Sequence, residues 1–221
     1  MNDYDIETDE YLKNGLTLFQ CRLYGNNEQE HIRNYCSWLK PNGVVVDMGS
    51  GVGAMGAGMV VECRGIDAVI NVTNSQIQAD YIAQHGGRVI CRDFHSVPEI
   101  PNETVDFVMF NETIGYGDMA RLFKESCRML RPKGRVVIKD FAPLLPNEHT
   151  DLIGWEYKVV PVHEVIQAAA DANLRCTLFS LPLVSSHIWE KFMQESKMSS
   201  WHGCVEYCLD STLIVFEKVG Q

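Results

Sequence analysis

Apolar residues recur along the chain in two rhythms. Between Glu28 and Leu39, the residues Ile32, Tyr35, Cys36 and Leu39 fall three and four apart, the spacing of one helix face. Lys40-Pro41-Asn42-Gly43 ends that helix. Val44–Asp47 follows as a short buried strand, and 54–64 as a helix in which Met55, Met59 and Val60 share a face. Further strands are expected over 65–72, 88–91, 105–110, 135–139, 175–181 and 211–217, where β-branched residues gather. Helices are expected over 75–85, 118–130, 162–173 and 187–195. The 118–130 helix has the clearest pattern, with Leu122, Phe123, Ser126, Met129 and Leu130 three and four apart. Pro132-Lys133-Gly134 stops it. Seven strands alternating with helices predict an α/β fold with a mostly parallel sheet covered on both faces. An antiparallel strand is expected at its C-terminal edge. Residues 1–40 read as a helical arm or cap and 41–221 as the main domain, with 141–161 as a lid insertion.

Composition narrows the class. The 221 residues are 46% hydrophobic, enough for a sizeable core, and no apolar run reaches membrane-spanning length. Net charge is -10, from 29 acidic against 19 basic residues, with no basic cluster, so a nucleic-acid surface is not expected. The first fifteen residues are acidic and polar, unlike a signal peptide, and the eight cysteines read as reduced thiols of a cytoplasmic protein. Cys204 and Cys208, near His202, would need further ligands to hold a metal. They read as a helix face or strand entry.

The chemistry gathers around Val44–Gly56, VVVDMGSGVGAMG, where an apolar strand meets an acid and then glycines at Gly49, Gly51 and Gly53. Such a loop lets the backbone turn sharply and approach a ligand at the carboxyl end of a strand. Asp47 suits an amino group or a loop-ordering hydrogen bond and would repel a pyrophosphate. Asp47–Gly53 resembles the glycine-rich motif of class I S-adenosylmethionine-dependent methyltransferases, in which this loop runs under the methionyl and ribose parts of the cofactor. The resemblance implies a Rossmann-like class I methyltransferase fold and places Asp47, Gly49, Ser50, Gly51 and Gly53 at the cofactor. Asn71–Gln78, NVTNSQIQ, resembles the element after the second strand in the carbon-alkylating branch, which includes sterol, cyclopropane fatty acid and prenyl diphosphate methyltransferases. It implies cofactor contacts from Val72, Thr73, Asn74 and Gln78. In Arg92-Asp93-Phe94, the resemblance gives Asp93 the adenine amine and Phe94 the ring.

Asn111-Glu112-Thr113, at the end of the fourth strand, resembles the corresponding element of geranyl diphosphate C-methyltransferases. A carboxylate at that depth is costly unless used or paired. In that family the methyl group goes to an alkene carbon and a base then removes a proton from the carbocation. Glu112 matches the base, Asn111 the cofactor side, and Tyr24 of Leu23-Tyr24-Gly25 a tyrosine of the N-terminal region. Aromatic faces stabilise cations, so Tyr116, Trp155, Tyr157, Phe179 and Trp189 are candidates to line the pocket. A diphosphate acceptor needs basic groups or Mg²⁺; Arg22, Lys139, Lys158 and His163 are the scattered candidates, and no metal ligands are assigned. Two other readings stay open. One is O- or N-methylation of a small neutral metabolite, with Glu112 accepting a hydrogen bond from the nucleophile or His163 serving as base. The other is a non-catalytic methyltransferase-like protein that binds cofactor or a partner. The partner expected is a small molecule, without nucleic acid or membrane. Homo-oligomerisation is open.

Overall fold

A computed structural model describes residues 3–20, 22–141, 157–182, 184 and 211–220. Helix α1 (Asp3–Lys13) and helix α2 (Glu28–Leu39) precede the first strand. They are followed by β1 (Gly43–Met48), α3 (Ala54–Glu62), β2 (Ile66–Thr73), α4 (Gln76–Gln84), β3 (Arg88–Cys91) and β4 (Val105–Asn111). After a 3₁₀ turn at Ile114–Tyr116 come α5 (Met119–Met129), β5 (Leu130–Phe141), α6 (Val162–Asp171), β6 (Leu174–Ser180) and β7 (Ser211–Lys218). The expected helix over 187–195 and most of the 141–161 insertion lie outside the described residues.

The seven strands form one sheet in the order β3-β2-β1-β4-β5-β7-β6. β1 to β5 run parallel, and β7 enters antiparallel between β5 and β6. The antiparallel strand is therefore one place in from the edge. β5 is longer than its apolar run suggested, because Arg131, Pro132 and Lys133 join it on the exposed end.

Side-chain alternation sorts the strands onto two cores. Val45, Phe107, Met109, Val137 and Val215 pack with Tyr35, Leu39, Met55 and Met59 of α2 and α3. Val46, Val108, Phe110, Ile138 and Phe216 pack with Leu122, Phe123 and Val165 of α5 and α6. The helices start where side chains accept their free N–H groups: Asn27 for α2, Ser75 for α4 and Asp118 for α5.

The chain leaves β1 toward β2 on one side and reaches β4 on the other. A crevice therefore opens at the carboxyl ends of β1 and β4, where α/β sheets bind ligands. The register brings polar strand ends to one level: Asp47 beside Asn71, and Asn111 beside Lys139. No helix among the described residues is long and apolar enough to cross a membrane.

Candidate active site

The glycine loop leaves β1 with Gly49 at φ +75° and Gly51 at φ +55°, a region that side chains disfavour. The N–H groups of Gly49 and Ser50 both donate to the Val72 carbonyl, at 2.9 and 3.0 Å, which ties the loop to the end of β2. A Cβ on Gly49 would lie 2.6 Å from Thr113 Cγ2. The Thr113 hydroxyl donates to the Met48 carbonyl at 3.0 Å, so the ends of β1 and β4 interlock here. Asp47 is buried at the base of the loop, and burial pushes its carboxyl up to about 7.

A cavity of about 270 Å³ opens over these strand ends. Of the residues expected from sequence, Asp47, Gly49, Ser50, Gly51, Thr73, Asn74, Gln78, Asp93, Phe94, Asn111, Glu112, Tyr116 and Tyr157 line it. Thr73 and Gln78 bond to each other at 2.6 Å, and the Gln78 amide donates to the Thr8 hydroxyl of α1 at 3.1 Å. Asp93 Oδ1 takes the backbone N–H and ring Nδ1 of His95, at 2.8 and 2.5 Å. Burial raises the Asp93 carboxyl, but these His95 contacts outweigh it and leave the group below its usual range.

Other expectations fall away from the cavity wall. Val72 is core, and Gly53 sits one step behind the wall, beside Ile82 and Asn71. Arg92 points outward to Glu99, at 2.7 Å. His163 is exposed on α6 and Phe179 exposed on β6, so neither reaches the site: their apolar or helical sequence settings carried no information on which sheet end they would face. Arg22 and Tyr24 lie behind Glu112 instead of beside the ligand space. Trp155 and Trp189 are outside the described residues. The sequence reading missed Tyr11, Thr17, Leu18, Phe19 and Gln20 of the N-terminal arm, together with Met55, His95, Thr113 and Phe141, all on the wall. Phe19 stacks on Tyr11 with ring centroids 4.2 Å apart and reaches over Gly51.

Glu112 lines the cavity from a left-handed backbone, φ +54°, at the tip of β4. Its Oε1 accepts from the Lys139 ammonium and from the Arg22 N–H, the latter at 3.3 Å. Lys139 also donates to the Arg22 carbonyl and to Gln20 Oε1, and lies 5.7 Å over the Tyr24 ring. The lysine side chain is 0% exposed and that of Glu112 5%. Lys139 is thus committed to Glu112, which removes it as a ligand for a diphosphate. Lys158 is exposed and off the wall. Beside this pair, Asp140 accepts from the Tyr157 hydroxyl, from Phe141 N–H at 2.7 Å and from Ile114 N–H at 3.1 Å.

The residues suit an S-adenosylmethionine site. The Asn111 carboxamide and the Ser50 hydroxyl have buried polar atoms with no partner among the described residues, and both residues line the cavity. Buried groups of this kind ask for a ligand or water. Residues 46–138, from β1 into β5, match the family model for a methyltransferase domain. The fold is that of a class I methyltransferase. No curated protein matches the chain. Solved class I methyltransferase folds do. Geranyl diphosphate C-methyltransferase from Streptomyces coelicolor A3(2), solved with Mg²⁺, geranyl-S-thiolodiphosphate and S-adenosyl-L-homocysteine, is similar at TM-score 0.73 and 17% identity, over 99% of this chain and 94% of that one. The (4+2)-cyclase SpnF is similar at TM-score 0.76 and 15% identity, over 99% and 94%. A sarcosine dimethylglycine methyltransferase from Galdieria sulphuraria, assigned by name only, is similar at TM-score 0.71 and 15% identity, over 99% of each chain. These identities establish likeness of fold. The names attached to that fold run from methyl transfer to cycloaddition, so the substrate must be argued from the site. Fold and matched segment together support methyl transfer from S-adenosylmethionine.

Proposed function

We propose that the chain methylates an alkene carbon of a small apolar molecule of the prenyl diphosphate kind, using S-adenosylmethionine. When bound, that cofactor supplies a methyl group on a sulfonium, and the bonding pair stays on sulfur as the methyl leaves. The Asp47–Gly51 loop, Ser50 and Asn111 would hold the cofactor. The acceptor would sit against Phe94, Tyr116, Phe141 and Tyr157.

One observation carries the reading: Glu112 is a buried carboxylate, in a disfavoured backbone conformation, on the cavity wall at the tip of β4. Such a backbone costs on the order of 1 kcal/mol or more, and burial of the charge adds to that. In an enzyme, the carboxylate faces a developing cation and takes the proton that restores the double bond.

The acceptor's diphosphate is the weaker half of the proposal. Among the described residues no Lys or Arg lines the cavity, and Asp47, Asp93 and Glu112 make it acidic. Nor do the described residues offer a cluster of three groups that could hold a metal ion. The same acidity favours a second reading, O- or N-methylation of a neutral acceptor. A screen of isopentenyl, dimethylallyl, geranyl and farnesyl diphosphates, with and without Mg²⁺, separates the two. A methylated prenyl product supports the first. No product from any of the four, in a protein shown by calorimetry to bind S-adenosylmethionine, overturns it.

A further inference from the structure

Asp140 has no part in the scheme above, yet it is the most completely enclosed carboxyl group near the cavity. Its side chain has no solvent contact. Oδ1 accepts from the Tyr157 hydroxyl and the Phe141 N–H, and Oδ2 from the Ile114 N–H. The two backbone donors fix the carboxyl plane. Tyr157 is held in turn by its edge-on contact with Tyr116, centroids 4.6 Å apart, and by the Lys158 N–H to Gly115 carbonyl bond at 2.9 Å. Tyr157 itself lines the cavity, and its hydroxyl bonds a carboxyl group that lies off the wall and has no solvent contact.

We propose that Tyr157 and Asp140 form a proton relay for an acceptor that carries a hydroxyl group, with Tyr157 as the catalytic residue and Asp140 as the terminal proton acceptor acting through it. This rests on the methyl-transfer reading and gives its second form a base. The acceptor O–H donates to Tyr157 Oη. As the acceptor oxygen gains the methyl group, its proton passes to Oη and the Oη proton passes to Asp140 Oδ1. Tyr157 ends as it began, neutral. Asp140 ends as the carboxylic acid and returns its proton by the same path once the product has left. Burial and the nearby Glu112 charge push the Asp140 carboxyl up to about 8, which makes its ionised form a competent base.

The test uses the full chain and the variants Tyr157→Phe and Asp140→Asn. Infrared difference spectra should show a protonated-carboxyl band in the parent that disappears as pH rises through about 8. The band should be absent in Asp140→Asn and displaced in Tyr157→Phe. Among the described residues, the other charged or titratable groups around Asp140 are Glu112, Lys139 and Tyr24, and a Glu112→Gln control should keep the band but move its disappearance to lower pH. Phenol, catechol and 1-naphthol serve as acceptors. Tyr157→Phe should lower the single-turnover methyl-transfer rate on the order of 10²-fold with acceptor affinity within a few-fold, and Asp140→Asn should abolish the rise of that rate with pH. A band indifferent to Tyr157→Phe, an unchanged single-turnover rate, or no methylation of any of the three by the parent overturns the relay. Failure of the parent to bind S-adenosylmethionine in calorimetry overturns the methyl-transfer reading instead.

Discussion

Glu112 and Lys139 set the cost of removing each other. Taking one partner from a buried ion pair typically costs about 3–5 kcal/mol, because the other charge is stranded. Glu112→Gln alone therefore confounds catalysis with folding. The first expected outcome is a methyl-transfer rate lower on the order of 10²-fold or more in Glu112→Gln, with cofactor affinity within a few-fold and a reduced thermal midpoint. Glu112→Gln with Lys139→Met should recover most of the midpoint and none of the rate. Recovery of the rate in the double variant would make Glu112 structural. The two raised aspartates give a second outcome. Asp47 and Asp140 are held near 7 and 8, well above an unfolded value of about 3.9. Above pH 4 the folded state thus binds protons that the unfolded state has lost, and stability falls as pH rises. Buried His31 is shifted down by burial and by Lys139, and it acts in the opposite sense below about pH 6.5. The fall should accordingly be clearest between about pH 6.5 and 8, read as the urea midpoint. Asp140→Asn should flatten it toward the upper end.

Among the elements, the β1–α3 loop and the N-terminal arm meet over the site. Gly51 is left-handed, and a Cβ there would lie 3.3 Å from Phe19 Cδ2. Gly51→Val should abolish S-adenosylmethionine binding with the circular-dichroism spectrum unchanged. Unaltered affinity in calorimetry would remove the loop from the cofactor site. Sequence showed this loop plainly, since the run of β-branched residues, the acid and the glycines are consecutive. The strands and helices were legible for the same reason: their patterns are local. The arm over the cavity was not. Its anchors are Ser75 to Asp5, at 2.6 Å, and Gln78 to Thr8, both pairs 70 residues apart. Lys139 was read as a cation for a diphosphate because its partner, Glu112, lies 27 residues away on a neighbouring strand. Asp140 escaped notice altogether: an acid ending a strand looks solvent-facing until the Tyr157 segment closes over it.

At the scale of the whole molecule, a net charge of -10 and an acidic cavity oppose an anionic acceptor. If geranyl diphosphate is methylated, the reaction should require Mg²⁺ to offset the diphosphate charge, and EDTA should stop it. Full activity on a diphosphate after EDTA would show that residues beyond those described supply the positive charge. The stacked rings of Tyr11 and Phe19, resting over Gly51, have a kinetic meaning as well. A ligand on the loop would lie under a segment fastened to α4. If spent cofactor leaves only when that segment lifts, turnover is clocked by an opening step instead of the chemical one. The first methylation in each active site should outrun all later ones, giving a burst of product equal to the enzyme concentration. Phe19→Ala should shorten the residence time of S-adenosylhomocysteine and raise the steady-state rate toward that of the burst.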